Sequence, residues 1–443
     1  MKLKTYIPLL ALILQLLLFA TSCKQSTEPP IIPPDEGVAN TIVLTVEWTD
    51  LYRINVKWNR AKADTLEPFT YRLIQTDEQG NKTIKDFTNI ILDTNYTAGV
   101  PDSLAQGKSY WFKVEGYNKE NKLKDTSITV IGKTLSPTSH DIVWQIDTLG
   151  QPGNFLNDIW GLDENNVWAV GYVHLPDGES GIIKWNGIEW MSFPTSSGVK
   201  YGIFGFSQSN IFVVGESVNR GFIAIWNGNN WTEYRDDYFL SRGDTVYPLR
   251  AVWGSASNDV WAVGDFGTII HWDGKEWKKI KSPLDLSLND VWGTDANNVY
   301  ILKTSVDNTS TVARYNGIYW EDLTDRIPAG PKNFNSIWID KSGTGYVVGN
   351  STLYFDGKSF NRVNINQSSY SVRIRGRNSA DVIVSGQRGR VYHFNGLNWV
   401  NFPQLEDNSG NFSEISGIQI FKNKIFLVGK TLNRAITYIG TKQ

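Results

Sequence analysis

Leu156-Asn157-Asp158-Ile159-Trp160-Gly161, then Asn166-Val167-Trp168-Ala169-Val170-Gly171, then Lys184-Trp185-Asn186-Gly187-Ile188-Glu189-Trp190: this run of three short motifs decides the architecture, because it returns along the rest of the chain. Counterparts of the first motif lie at 201–205, 249–254, 288–293, 334–339, 371–376 and 415–420. Their anchor positions are Trp160, Phe204, Trp253, Trp292, Trp338, Arg375 and Gln419. They recur about every 43 residues, the period of a propeller blade. The second motif returns as an apolar, β-branched run closed by glycine, with Lys303 as the one break in that glycine. The third centres on Asn186-Gly187, Asn227-Gly228, Asp273-Gly274, Asn316-Gly317, Asp356-Gly357 and Asn395-Gly396. Asn-Gly and Asp-Gly predict type I′ hairpins, in which both central residues take positive φ. Flanking aromatics such as Trp272 with Trp277, and Phe394 with Trp399, are placed to pair across those hairpins.

Each unit therefore supplies four strands, and residues 138–443 hold seven units. The seventh stops at Ile436-Thr437-Tyr438-Ile439-Gly440, one strand short. Asp141-Ile142-Val143-Trp144-Gln145-Ile146, ahead of the first unit, matches the missing fourth strand. The expectation is an all-β fold, a seven-bladed β-propeller closed by its N-terminal strand, because closure removes the open sheet edge. The units resemble the Trp-rich propeller repeats of secreted bacterial proteins, similar in kind to kelch, BNR and WD-repeat propellers. That resemblance implies a fold and leaves the activity open, since propellers carry enzymes, lectins and scaffolds.

Composition agrees. The chain has 18 Trp and 39 Gly but 2 Met among 443 residues, a strand-and-turn composition rather than that of a helical bundle. A net charge of −2 argues against a general polyanion surface, so no nucleic-acid partner is expected. One cysteine excludes an intrachain disulfide and any Cys-based zinc site.

That cysteine ends an apolar stretch. Lys2 and Lys4 precede Ile7–Ala20, which ends in Leu18-Phe19-Ala20-Thr21-Ser22-Cys23. The stretch is shorter than the roughly 20 residues of a membrane span and reads as a secretory signal over residues 1–22. Its end resembles the lipobox of bacterial lipoproteins, which implies cleavage before Cys23, lipidation of Cys23, and an address in the cell envelope. Lys24 after the cysteine resembles lipoproteins sorted to the outer membrane. Residues 23–39, with Pro29-Pro30 and Pro33-Pro34, read as a stiff tether.

Residues 40–135 alternate polar and apolar in several short runs, among them 52–58, 69–74 and 109–118, which predicts a β-sandwich. Trp58, Tyr71, and Leu104-Ala105-Gln106-Gly107-Lys108-Ser109-Tyr110 followed by Phe112, Val114 and Asn118 resemble a fibronectin type III domain. The resemblance implies that Tyr110 makes the tyrosine corner near Leu104 and that the domain serves as a stalk.

No catalytic constellation stands out. His140, His174, His271 and His393 lack ligand spacing. His271 and His393 share one repeat position, held elsewhere by Lys184, Arg314 and Tyr354, so neither a metal nor another cofactor is expected. Asp307-Asn308 and Asp177-Gly178-Glu179 are incomplete as calcium sites. Arg373, Arg375, Arg377, Arg388 and Arg390 crowd one unit and read either as a carboxylate clamp or as a solvated basic patch. Arg375 stands where other units hold Trp, so it needs a buried partner. The connections on one face of the ring, several of them long, are 172–177, 235–247, Asp265-Phe266, 325–333 and 405–414. Candidate ligand-binding residues there are Tyr172, His174, Asp236, Asp237, Tyr238, Arg242, Asp244 and Tyr247, with Arg373, Arg375 and Arg388. Arg242-Gly243-Asp244 matches the integrin tripeptide, a match short enough to arise by chance. The expected role is a monomeric, non-enzymatic envelope lipoprotein binding a protein or a glycan. The alternatives are a sialidase-like glycoside hydrolase, which would need a carboxylate pair or a Tyr–Glu pair in the central cavity, and a structural subunit of an envelope complex.

Overall fold

In the computed structural model the described residues are 38–60, 70–88, 94–193, 198–284, 286–303, 309–330, 332–407 and 413–443. The signal, Cys23, the tether up to residue 37 and Asp307-Asn308 lie outside them. Among the described residues no helix is long and apolar enough to cross a membrane. The chain divides into two compact units, the second of which contains Lys133–Gln443.

The first unit is built on β1 (Ala39–Thr49), β2 (Ile54–Arg60), β3 (Thr70–Thr76), β4 (Lys82–Phe87), β5 (Thr94–Ala98), β6 (Ser109–Tyr117), β7 (Leu123–Ser127) and β8 (Val130–Lys133). The alternation read from sequence is real: along β6, Tyr110, Phe112, Val114 and Gly116 are buried and their neighbours are not. Trp58 packs edge-on against Phe87 and Tyr71, at ring separations of 5.2 and 6.5 Å. The two separate sheets of a fibronectin type III sandwich are not what forms, and this corrects the expectation. One eight-stranded sheet, a half-barrel, runs β4-β3-β6-β7-β1-β2-β5, with β8 on β6. The join is the parallel pairing of β1 with β7. Buried Asp125 holds it, accepting from the Thr41 amide at 2.8 Å and the Thr41 hydroxyl at 2.5 Å.

The second unit is a propeller of seven four-stranded sheets. In blade 3 the strands are Leu249–Ala256, Asp259–Gly264, Ile269–Trp272 and Trp277–Ile280, counted outward from the central axis. Blade 7 contributes Glu414–Ile420, Lys424–Lys430 and Ala435–Lys442, and Ile142–Leu149 is its fourth strand. The pairing runs from Ala435↔Leu149 to Lys442↔Ile142, with Gly440 opposite Trp144. The ring is therefore closed between the two ends of the unit. Cross-hairpin aromatic pairs fill the wedges between blades as anticipated, for example Trp185–Trp190 at 5.6 Å and Trp272–Trp277 at 5.5 Å. Around the axis, three Trp anchors lie over a glycine of the next blade: Trp160 on Gly205, Trp253 on Gly293 and Trp338 on Gly376.

The Asn-Gly hairpins are not type I′. In all six only the glycine takes positive φ, from 89° at Gly274 to 100° at Gly396. The strands pair outside a four-residue loop, as in Trp185↔Trp190. The Asn186 side-chain oxygen then accepts the amides of Ile188 and Glu189, both at 2.9 Å. An Asx turn thus does locally what a second left-handed residue would have done.

The glycine closing the second motif has a different cause. All seven innermost strands carry a bulge at the second motif position, seen as a register shift between Leu156 and Asp158, Lys200 and Gly202, Leu249 and Ala251, Leu288 and Asp290, Phe334 and Ser336, Ser371 and Arg373, and Ile415 and Gly417. Just before the bulge the inner-strand carbonyl presses on the neighbouring strand. A Cβ on Gly264 would lie 2.0 Å from the Pro248 oxygen, and one on Gly429 1.9 Å from that of Glu414. Gly264→Ala is therefore expected to destabilise the propeller by about 1–3 kcal/mol, read as a fall in the chemical denaturation midpoint. An unchanged midpoint would mean the bulge relaxes freely.

Candidate functional site

A bulge leaves one residue out of the ladder and re-aims its side chain. Seven bulges in register deliver seven side chains to one opening on the axis: Asn157, Tyr201, Arg250, Asn289, Asn335, Val372 and Ser416. All seven line a cavity of about 450 Å³, together with Asp265, Ser287, Arg373 and Glu414. This mouth opens on the upper face, the one carrying the inter-blade connections and the turns between second and third strands.

The mouth residues are linked around the ring at six of its seven blade junctions. Asn157 Nδ2 donates to the Lys200 carbonyl at 2.7 Å, and Asn289 Nδ2 to Asn335 Oδ1 at 2.9 Å. Asn335 Nδ2 donates to the Val372 carbonyl at 2.7 Å, and Arg373 Nε to the Ser416 carbonyl at 2.8 Å. Ser416 Oγ donates to the Leu156 carbonyl at 2.8 Å. Between blades 2 and 3 the link is Arg250 stacked over the Tyr201 ring at 4.3 Å. Arg250 is also paired with Asp265, at 2.5 Å for its shorter contact, and the Tyr201 hydroxyl donates to Glu216 at 3.0 Å. Burial pushes the Tyr201 phenol up, with Glu216 adding to the shift.

One layer below, charges span the channel. Arg375 grips Asp290 with two nitrogens, at 2.9 and 3.0 Å, and lies over the Trp292 ring at 4.7 Å. Arg373 bridges Asp158 at 3.0 Å and Asp290 at 3.3 Å. The Ser336 hydroxyl donates to Asp290 at 2.6 Å. Blades 1, 4, 5 and 6 thus meet in a buried network that forms the floor of the mouth. Burial alone would raise the fully buried Asp290 carboxyl. The two guanidinium groups and Ser336 outweigh that and hold it below its ordinary value. Asp158 is touched by one arginine, and there burial prevails and pushes the carboxyl up.

This places the sequence-selected residues. Arg375 has its buried partner, Asp290, and faces the channel rather than a ligand. Arg373 shares that network and lines the floor of the mouth. Arg377 pairs with Asp381 at 2.8 Å and Arg390 with Glu406 at 3.3 Å, so four of the five arginines already hold a carboxylate. Arg377 and Arg388 are the exposed members of the five, and Arg388 sits in a tight turn at φ 62°. His174 is tied to Asn154, whose Oδ1 accepts the His174 amide at 2.8 Å. Tyr172 leans on His174 and Phe155, away from the mouth lining. The 235–247 connection is not a loose loop. It begins with a short helix, Asp236–Leu240, and is pinned by Phe239 and Val246, both buried between blades 2 and 3. Tyr238 is a strut inside it, accepting the Trp277 amide at 3.2 Å and carrying Arg242 over its ring at 3.9 Å. Asp236 and Asp237 border a second hollow, of about 460 Å³, opposite Arg220. Asp244 and Tyr247 lie on the same connection, with the Tyr247 ring 4.7 Å from Phe266.

The histidines act structurally. His271 binds Asp259 at 2.6 Å, and the Ser255 hydroxyl donates to the same carboxylate. Hydroxyl and imidazole both meet the carboxylate rather than each other, so this trio is a brace and not a nucleophile with its base. His393 binds Asp381 at 3.2 Å in the equivalent place.

Sequence reasoning missed most of the mouth: Asn157, Tyr201, Arg250, Asn289, Asn335, Ser416 and Glu414. A signal existed. Read down the repeats, the second position of the first motif is polar or aromatic in six of seven units, inside a strand otherwise buried.

Comparison with known proteins bears on the fold. No protein-family model matches the chain. A 57-residue stretch is 42% identical to Tectonin-1 of Physarum polycephalum and spans about a quarter of that protein (26%). The structure of YCF48 bound to D1 peptide is similar over 69% of this chain and 98% of that chain, at 13% identity and a TM-score of 0.54. The extracellular domain described as that of a hybrid two-component system from B. thetaiotaomicron is similar over 67% of this chain and 42% of that one, at 12% identity and a TM-score of 0.50.

Proposed function

We propose that this chain is a non-enzymatic protein of a bacterial cell envelope, lipid-anchored through Cys23, whose propeller holds a protein partner at the upper mouth. The observation that carries this reading is the mouth itself: seven registered bulges spend one side chain per blade on a cavity with a charged floor. Supporting it, a propeller similar in fold has a peptide bound, the D1 peptide of the YCF48 structure. The envelope address rests on Leu18–Cys23, the outer-membrane preference on Lys24, and the half-barrel unit serves as the stalk. A photo-reactive residue at Ser287, on the mouth, is expected to cross-link one protein from envelope extracts, and the same probe at Lys358, on the opposite face, is expected not to. Equal labelling from both positions would sink the reading. A structural role in an envelope complex would instead give a stoichiometric partner held from both faces.

One observation favours a second reading. The Tyr201–Glu216 pair at the mouth is the kind of pair a sialidase-like hydrolase requires. Against it, burial and Glu216 raise the phenol instead of ionising it, and Arg250 and Arg373 are already engaged by carboxylates. Hydrolysis of aryl sialosides that vanishes in Tyr201→Phe would establish this reading. Equal blanks for both proteins are expected.

A further inference from the structure

Every non-glycine residue of the propeller that takes positive φ among those described lies in an upper-face connection: Val218, Asn219, Phe266, Asn366 and Arg388. Two of these are anomalous. Val218 and Asn219, at φ 51° and 61°, are the central pair of a two-residue turn between Ser217 and Arg220. Phe266 and Gly267, at φ 53° and 67°, form the equivalent turn of the adjacent blade. Glycine or asparagine fits such positions without strain, whereas a β-branched or bulky residue is a clear outlier there. Neither side chain is part of the core, because Val218 is 91% exposed and Phe266 71% exposed. Strain and exposed apolar surface coincide, and both would be relieved by glycine. Retained strain of this kind clusters at binding sites.

The two turns belong to one surface. The Phe266 ring lies 4.7 Å from that of Tyr247, and Arg220, which follows the Val218 turn, stands 5.7 Å from the Tyr247 ring. Arg220 in turn reaches Asp236 at 3.5 Å. Three arginines of this rim are matched by carboxylates, Arg220 with Asp236, Arg235 with Glu233, and Arg250 with Asp265, while Arg242 is held over the Tyr238 ring. Asp237 and Asp244 carry no ion pair among the described residues. An apolar platform thus stands beside two carboxylates that hold no ion pair.

We propose that the rim formed by Val218, Tyr247 and Phe266 is the primary contact for an extended polypeptide segment that presents a large apolar side chain next to a lysine or arginine. The apolar group covers Phe266 and Val218, and the cation meets Asp237 and Asp244. This rests on the reading of the upper face as a protein-binding face, and narrows it to blades 2 and 3 and to a partner of defined chemistry.

Random peptides displayed on phage, selected on the full chain, test it. Recovered peptides are expected to share an aromatic or aliphatic residue within a few positions of Lys or Arg. The double variant Val218→Gly/Phe266→Gly is expected to weaken a synthetic peptide of that sequence at least tenfold, and Asp237→Asn/Asp244→Asn to weaken it several-fold and flatten its salt dependence. The glycine variant should melt close to the parent, because relief of two strained turns offsets the lost Phe266–Tyr247 ring contact and the added chain entropy. A markedly lower melting temperature would assign the two residues to stability and overturn the proposal. Peptides blocked by Ser287→Arg at the mouth but indifferent to the glycine variant would overturn the rim and leave the binding reading standing. Peptides lost in the glycine variant and kept by Ser287→Arg would support the rim and remove the mouth as primary contact. Recovery of acidic peptides would overturn the assigned chemistry, and recovery of none would overturn both readings.

Discussion

Replacing Asp290 by alanine is expected to cost the propeller about 3–5 kcal/mol, since removing one partner of a buried ion pair leaves an uncompensated charge behind. Here two charges lose a partner. Arg375 forfeits both of its hydrogen bonds to the carboxylate, and Arg373 keeps Asp158 as its one carboxylate. Arg375 also occupies a site that a Trp fills in other blades and its side chain is only 14% exposed, so a stranded guanidinium would be poorly solvated. The measurement is the free energy of unfolding from urea titration of the single variants and of Asp290→Ala/Arg375→Ala. The double variant is expected to lose much less than the sum of the singles, because the second change removes the charge the first one strands. A loss below about 1 kcal/mol for Asp290→Ala would place it among ordinary surface pairs and would remove the network as the floor of the mouth.

The same carboxylate sets a pH dependence. Its folded pKa lies below the unfolded value of about 3.9. Its contribution is therefore fully present above that value and disappears as pH falls through the folded pKa. The stability gap between the parent and Asp290→Asn is expected to be flat from about pH 5 to 8 and to narrow below about pH 4. Asp158 works the other way: its raised carboxyl takes up a proton more readily in the folded state, which blunts acid unfolding of the parent. A gap that stays constant to about pH 2 would contradict the assignment.

Excising Ile142–Leu149 is expected to abolish the single cooperative melt of the propeller. Eight ladder positions join this strand to Ala435–Lys442, and Ile142 is buried in the cluster that holds Ile415, Ile436 and Tyr438. Without it, blade 7 exposes an unpaired edge and half of its outer packing, and such edges recruit other chains. Appending the same eight residues after Gln443 through a short glycine-rich turn is expected to restore the transition, because Lys442 already lies opposite Ile142. Calorimetry and size-exclusion chromatography of the three chains read the outcome. An excised chain that melts as the parent does would mean that the ring needs no latch.

Much of this architecture was legible before any coordinates. The repeat of about 43 residues gave the blade count, and the short seventh unit pointed to the closing strand, because pattern and period depend on near neighbours along the chain. Two local expectations failed for local reasons. The Asn-Gly hairpins satisfy their turns through the Asn side chain, so a second left-handed residue is unnecessary. The β1–β7 pairing made one half-barrel of two expected sheets, because a parallel contact between strands 84 residues apart leaves no mark on either strand's alternation.

The candidate site divided differently. The long upper-face connections were visible as insertions, but which of their residues face solvent was not. Tyr238 and Arg242 looked like recognition residues and prove to brace each other, while the strain at Val218 and Phe266 left no mark in the sequence. By itself the sequence determined seven blades, their order and the means of closing them, since each follows from hydrophobic period and turn chemistry within some forty residues. Only the tertiary structure decided which side chains share the axis. Arg375 finds Asp290 at a separation of 85 residues, and seven bulged positions become one mouth, because ring closure brings together groups whose spacing in the chain carries no record of their meeting.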